Sequence, residues 1–288
     1  MFENFRLDVS RFSRLLIRNK TGFLGLLLVI SLVLIAFVGP LIVAPEVSSH
    51  VERINQPPSL DNPLGTDFMG RQNWIMFVHG GREQLTVVFL AGIFTTLIAV
   101  AVAAASVFSS DTLDKFIMAV TDVWLTLPRF LLLAVIAAII PPKDVLTLAF
   151  FLAIMGWSGL ARQVRAQFLS LKKQDYIEAA RLLDLGTPHI IFREILPSMM
   201  SYILIAMINA MIGALYFQVG LVFLGLLPFS NSWGVMFTLA YARNAIYNPN
   251  SMASLLVPTG GIILFQLGLV LFSRMLEEVF NPRLQQSA

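Results

Sequence analysis

The chain has 288 residues, 57% of them hydrophobic and 13% charged, with a formal net charge of +3 and no cysteine. Soluble domains run at about 45–50% apolar and about 25% charged. With a mean hydropathy of +0.78, this chain is excluded from the disordered, nucleic-acid-binding and ordinary cytosolic enzyme classes. The missing cysteine also removes a disulfide framework, a cysteine-based zinc site and a thiol nucleophile.

An apolar run of about 20 residues is long enough to cross a bilayer. The first such run is Gly22 to Ala44, uncharged and preceded by Arg6, Arg11, Arg14, Arg18 and Lys20. It is long for a signal peptide and no small-x-small cleavage site follows, so it is expected to be a retained anchor. The second expected span is Leu85 to Phe108. The third is Phe116 to Ile140, stopped by Pro141-Pro142. The fourth is Val145 to Leu160, the fifth runs from after Pro197 to about Leu227, and the sixth is Leu255 to Phe272. The expectation is an all-α membrane protein with six transmembrane helices, without internal repeats.

Loop charge sets orientation. With the N-terminus inside, the inner segments hold 14 basic residues: Arg6, Arg11, Arg14, Arg18, Lys20, Lys115, Arg162, Arg165, Lys172, Lys173, Arg181, Arg193, Arg274 and Arg283. The outer segments hold 5: Arg53, Arg71, Arg82, Lys143 and Arg243. Both termini are therefore expected in the cytoplasm. The chain divides into an N-terminal tail (1–20), a first helix with an outer segment (21–84), a core (85–276) and a C-terminal tail (277–288). The polar stretches 45–84, with Pro45, Pro57, Pro58 and Pro63, and 161–197 are longer than plain spacers.

In the inner stretch, residues 175–184 read as a short amphipathic helix with Ile177, Ala180 and Leu183 or Asp184 at helical spacing. Gly186 falls where a helix C-cap calls for positive φ. Thr187 suits the N-cap and Pro188 the first turn of a second helix through Ile190, Ile191, Phe192 and Ile195 to Leu196-Pro197. Such a helix–turn–helix either docks a partner or packs as an elbow on its own bundle.

In the third span, Asp122 and Arg129 are seven residues apart, near one face of an ideal helix. Counting back from Ile140 puts Arg129 near mid-bilayer, where it meets either substrate or a structural partner. Asn209, Gly213, Tyr216 and Gly220 recur at i, i+4, i+7, i+11 on one face of the fifth span, a polar and narrow stripe. Ala206, Ala210 and Ala214 make a neighbouring row suited to close packing. Trp233, Phe237 and Tyr241 follow at i, i+4, i+8, as a sugar-stacking face or an interfacial belt.

Gly156-Trp-Ser-Gly159 has the form of an intramembrane protease nucleophile. Its serine needs a base within reach, and His50, His79 and His189 all lie outside the spans. The small residues are better explained by close helix packing. There is no Gly-x-x-x-x-Gly-Lys-Ser/Thr phosphate loop and no His-Glu-x-x-His metal motif.

Glu178-Ala179-Ala180, Gly186, Ile195 and Leu196-Pro197 together resemble the EAA loop of ABC importer permeases. Pro63-Leu-Gly65-Thr-Asp67 with Gly70-Arg71 is similar to the outer motif of the dipeptide/oligopeptide/nickel branch, C-type subunit. Asp122 with Pro128, Phe223-Leu-Gly-Leu226 with Ser232-Trp233-Gly234, and Pro282-Arg-Leu284 extend the likeness. The chain departs from it at Leu227, where a glycine is usual, and at Arg129. The resemblance implies a type I-like importer permease fold. It implies that the EAA residues couple to the ATPase, and that Gly65, Asp67, Arg71 and Trp233 belong to an outer structural or docking region. It implies a pathway for which Arg129, Asn209, Gly213 and Tyr216 are candidates. Its implied partners are a second permease subunit, two ATP-binding subunits that carry ATP and Mg, an extracytoplasmic solute-binding protein and the lipid bilayer, with no nucleic acid. This chain would then bind no cofactor, catalyse nothing itself, and sit in the inner or plasma membrane of a bacterium or archaeon. Short peptides are the implied substrate, with oligosaccharide and nickel as alternatives. The different-class alternative is a self-contained channel or secondary transporter.

Overall fold

The computed structural model describes residues 19–227 and 231–280; Arg6, Arg11, Arg14, Arg18, Arg283 and the Pro282-Arg-Leu284 motif lie outside that range. The described residues are helical, with no strand beyond an isolated bridge between Thr66 and Gln72. Helix α1 (Lys20–Phe37) starts at Asn19, whose side chain accepts the Gly22 N–H at 2.9 Å, and continues after a break as α2 (Gly39–Ile42). Helix α3 (Asn73–Phe108) has 36 residues, about 54 Å at the usual rise, far more than a bilayer core requires. It begins at Asn73 rather than Leu85, because Arg82 and Glu83 interrupt an apolar run without interrupting a helix.

The expected third span is not one helix. Helices α4 (Asp111–Thr126) and α5 (Arg129–Ile139) meet at 84°. Pro128 has no N–H and confines the residue before it; Leu127 is extended at φ −71°, ψ 137°. Counting the bent pair as one span gives six candidate spans, and without it there are five among the described residues. Helix α6 (Val145–Leu171) is capped by Asp144, which accepts the Thr147 N–H at 2.8 Å, and runs eleven residues past the expected end. Next come α7 (Asp175–Leu182), α8 (Thr187–His189), a π-helical turn (Ile190–Ile195) and α9 (Leu196–Ser198). Helices α10 (Met200–Phe223), α11 (Trp233–Ala242) and α12 (Met252–Phe280) complete the chain.

Two compact units divide within α3 and α10: Met1–Val87 with Gln218–Ala288, and Val88–Phe217. In the first, α1 lies along α12 through glycines. A Cβ on Gly25 would stand 2.6 Å from the Leu271 Cβ and 2.9 Å from the Gly268 carbonyl oxygen, closer than atoms tolerate. Small residues at this crossing let two backbones touch where lipid offers no hydrophobic drive. Trp233 fills the centre of this unit with no exposed surface. It stacks on Phe77 at 4.7 Å and 8°, donates to the Phe77 carbonyl at 2.7 Å, and lies against Gly81 and Gly261. Beside it the buried Gln84 side chain donates to Gln218 at 2.8 Å and accepts from the Gly234 N–H at 3.2 Å. Apolar burial leaves amides no water, so they satisfy one another.

The second unit is built on one apolar core. Ala99, Ala103 and Val107 of α3, Val164 and Phe168 of α6, and Met199 and Ala206 meet Ile177, Ala180, Ile190 and Ile195 there.

Candidate functional site

The segment 175–198 presents two faces. Ile177 and Ile195 are wholly buried, and Ala180 and Ile190 nearly so. Leu182, Leu183 and Phe192 are instead exposed, at 88%, 73% and 69%. The two sequence readings are therefore not rivals: part of the segment packs as an elbow, and three large apolar side chains on it are uncovered in this chain. Within the motif, Glu178, Ala179, Gly186 and Pro197 are exposed, whereas Ala180 and Ile195 hold the segment to its bundle and Leu196 is intermediate.

The turn is made differently from the expectation. Asp184, at φ 56°, takes the left-handed position; Gly186 sits at φ −58°, ψ 155°. The Leu185 N–H reaches the Ala180 carbonyl at 3.1 Å and the Asp184 N–H reaches Arg181 at 2.9 Å, which closes α7 as a Schellman turn. Gly186 then serves as N-cap of α8, a role expected for Thr187. A Cβ at Gly186 would meet only Pro188 Cδ at 3.8 Å, so a side chain there strains nothing. In the second helix the Leu196 N–H bonds five residues back to Ile191, a widened turn just ahead of Pro197.

The bend at Pro128 also changes Asp122 and Arg129. They no longer share a straight helix, and the depth counted from Ile140 does not hold. Arg129 is the exposed first residue of α5. Asp122 is paired with Arg162 of α6, and both side chains remain about half exposed. One pair along, Asp114 accepts from Arg165 Nε at 3.0 Å and is also bonded by Ser106. These pairs tie α4 to α6, and they explain why α6 continues through its arginines. On α10, Asn209 and Tyr216 are exposed, and nothing lies within 4 Å of a Cβ placed on Gly213. That face is uncovered in this chain, while Ala206 and Ala214 of the small-residue row are buried.

In the segment 43–72, Asp67 is an organiser. Its Oδ1 accepts the Met69 and Arg71 N–H groups at 2.8 and 2.9 Å, and its Oδ2 accepts from the Arg71 guanidinium at 2.7 Å. Gly65 and Gly70 have φ of +67° and +77°, and the backbone of His50 passes so close to Gly70 that no side chain fits. Trp233, expected in the docking region, offers no surface to a partner because it is wholly buried. Phe237 and Tyr241 pack with Phe223, rings 5.4 to 6.2 Å apart. Ser158 is buried with no hydrogen-bond partner among the described residues. His50, His79 and His189 instead face Glu46, the Val43 carbonyl and Glu194, so Ser158 has no base. A Cβ on Gly156 would meet Thr95 at 3.2 Å, as close packing requires.

Sequence reasoning missed the Asp122–Arg162 and Asp114–Arg165 pairs and the buried Gln84–Gln218 pair. For the glutamines a signal existed: single amides inside apolar runs need one another.

Residues 73–286 match the family model for the binding-protein-dependent transport system inner membrane component. The chain belongs to this family. Residues 10–58 match the N-terminal transmembrane domain of oligopeptide transport permease C. The chain is 28% identical over 272 residues to the oligopeptide transport system permease protein OppC of Bacillus subtilis, covering 93% of this chain and 87% of the relative. It is 32% identical over 228 residues to the dipeptide transport system permease protein DppC of the same organism, covering 77% and 70%. A putative peptide transport system permease protein of Brucella abortus is 30% identical over 281 residues, covering 95% and 91%. Membership makes this a multi-pass inner-membrane permease subunit that works in a complex with other transport subunits and is not itself an enzyme. It decides against a self-contained channel or secondary transporter and against a protease.

Proposed function

We propose that this chain is the C-type permease of an ATP-driven importer of short peptides, with both termini in the cytoplasm of a bacterium or archaeon. The observation that carries this is the uncovered apolar face of Leu182, Leu183 and Phe192 on a segment anchored by Ile177 and Ile195. Such a knob fits a groove on an ATP-binding subunit, and its anchor makes it a rigid lever. Glu178, Ala179, Ala180, Gly186, Ile195, Leu196 and Pro197 form that coupling element, the buried members fixing it and the exposed ones bordering the contact. Two ATP-binding subunits hold ATP and Mg, a second homologous permease completes the path, and an extracytoplasmic solute-binding protein delivers substrate. Closure of the ATPase pair moves the lever and reopens the path on the other side. Arg129, Asn209, Gly213 and Tyr216 are the path residues. On the spanning helix α10, the polar Asn209 and Tyr216 are costly against lipid and face a cavity or a partner. Gly65, Asp67 and Arg71 shape the outer segment. The names of the relatives support peptide as the cargo over oligosaccharide or nickel.

Proteoliposomes holding the full complex should accumulate labelled dipeptide only with ATP present and binding protein supplied. Uptake without ATP would remove the reading. Orientation is tested separately. Leu60 is fully exposed, whereas the Ser59 hydroxyl accepts the Asn62 N–H at 3.1 Å, so Leu60→Cys is the cleaner probe of this cysteine-free chain. It should react with an impermeant maleimide on intact cells. Labelling only after lysis would invert the topology.

A further inference from the structure

The first unit holds a cavity of about 380 Å³ bounded by the segment 67–76, α11 and the start of α12. That volume lies within the range of small-ligand pockets, roughly 300–1,000 Å³. Its apolar wall is soft: Met69, Met76 and Met236 line it with Phe68 and Leu239. Unbranched thioether side chains re-pack around guests of different shape, which suits a variable side chain better than a fixed one. Asp67, Arg71, Asn73 and Ser254 of the wall are already matched. Asp67 is bonded to Arg71 at 2.7 Å, and the Asn73 amide donates to Ser254 at 3.2 Å and to the Leu64 carbonyl at 2.9 Å.

Arg243 is different. Its guanidinium carbon lies 4.8 Å from the centroid of the ring of Phe68, one of the residues that line the cavity. It is exposed, and no described carboxylate pairs with it. A planar guanidinium held on an aromatic face, with donors unclaimed, is suited to a carboxylate. An adaptable apolar chamber next to one such cation matches a molecule that is apolar at one point and anionic at an adjacent one.

We propose that this cavity receives the C-terminal residue of a short peptide, its side chain among the methionines and its carboxylate on Arg243. The proposal rests on the peptide-importer reading and adds to it a reception site on this subunit, on the face where the binding protein delivers cargo. It makes Arg243 and the cavity lining specificity-determining, favouring a free carboxylate and a large apolar last residue.

The test uses the complete importer with its binding protein in proteoliposomes. Initial uptake of labelled Ala-Phe, Ala-Phe amide and Ala-Gly is compared below saturation, each variant against wild type on the same peptide, so that the preference of the binding protein cancels. Arg243→Gln should lower Ala-Phe uptake about tenfold and change Ala-Phe amide less than about twofold. Leu239→Trp, which fills the chamber, should lower Ala-Phe uptake more than Ala-Gly uptake. Arg243 is exposed, so its replacement leaves folding intact. An unchanged Ala-Phe to amide ratio in Arg243→Gln overturns the site while the importer reading stands. An equal fall for all three peptides, with weaker capture of the binding protein, also overturns it and assigns the cavity to that protein. A wild-type complex that imports none of the three removes the importer reading and the ligand of this site together.

Discussion

Leu183→Asp combined with Phe192→Asp is expected to lower ATP-driven uptake by more than tenfold and to strip the ATP-binding subunits from the purified complex. Burying a leucine or phenylalanine side chain is worth about 1.5–3 kcal/mol. Interface residues of this kind reach about 2 kcal/mol or more when they sit in a desolvated pocket. Both side chains are now more than two-thirds exposed, at 73% and 69%, so nothing in the chain itself is lost when they become charged. The variant should therefore insert, resist proteolysis and melt like the wild type. Copurification tells the difference: retained ATPase subunits with normal uptake would show that this face is not the coupling contact. Ile177→Asp and Ile195→Asp make the contrast, since both lie at zero exposure in the core with Val164 and Phe168. They should remove the folded subunit rather than the docking.

Trp233→Ala is expected to cost about 3–5 kcal/mol, the range for emptying a large aromatic from a packed core. Whole-domain stabilities are about 5–15 kcal/mol, so the subunit should be depleted from the membrane and its detergent extract should unfold at markedly lower temperature. The loss is large because the surroundings cannot collapse. Gly81 sits 2.8 Å from the indole at its Cβ position, and Phe77 is held in the same helix by its backbone. Trp233→Phe keeps a ring against Phe77 but leaves the Phe77 carbonyl without the 2.7 Å donor, and should cost about 1 kcal/mol. Equal yields and equal melting of Trp233→Ala and wild type would mean that the stack contributes little. Uptake measured per folded complex should stay near normal in Trp233→Phe, because the residue has no surface with which to meet a partner.

The segment 175–198 shows how far sequence carried the site. The helical spacing of Ile177 and Ala180 marked two residues that are buried, because helical period is a local property, but Leu183 and Asp184, read on the same spacing, are both exposed because the helix ends at Leu182. The sequence leaves the exposed side open between two readings. Whether Leu183 or Phe192 is covered depends on what the rest of the bundle reaches, and no local pattern contains that. The positive φ was assigned to Gly186 on residue type, since glycine adopts it most readily. The backbone placed it at Asp184, two residues earlier, where the Schellman bonds to Ala180 and Arg181 require it. Aspartate tolerates that conformation at a modest cost.

Pro128 is the instructive case among the spans. Its presence was visible, and its effect on Leu127 follows from stereochemistry alone. Yet the run from Phe116 to Ile140 is apolar on both sides of it, and hydropathy counts residues without regard to direction. The 84° turn moved Arg129 to the start of a new helix and left Asp122 to Arg162. A depth counted at 1.5 Å per residue is valid only along one axis.

Apolar run length and the seven-residue motif between Glu178 and Pro197 depend on residues within about 20 positions of one another, and they were enough to indicate a multi-pass membrane permease. Which arginine meets which carboxylate, how Trp233 is enclosed, where a cavity opens beside Arg243 and which leucines remain uncovered depend on residues tens to hundreds of positions apart. Those are set by how helices pack in three dimensions, and only the tertiary structure carries that information.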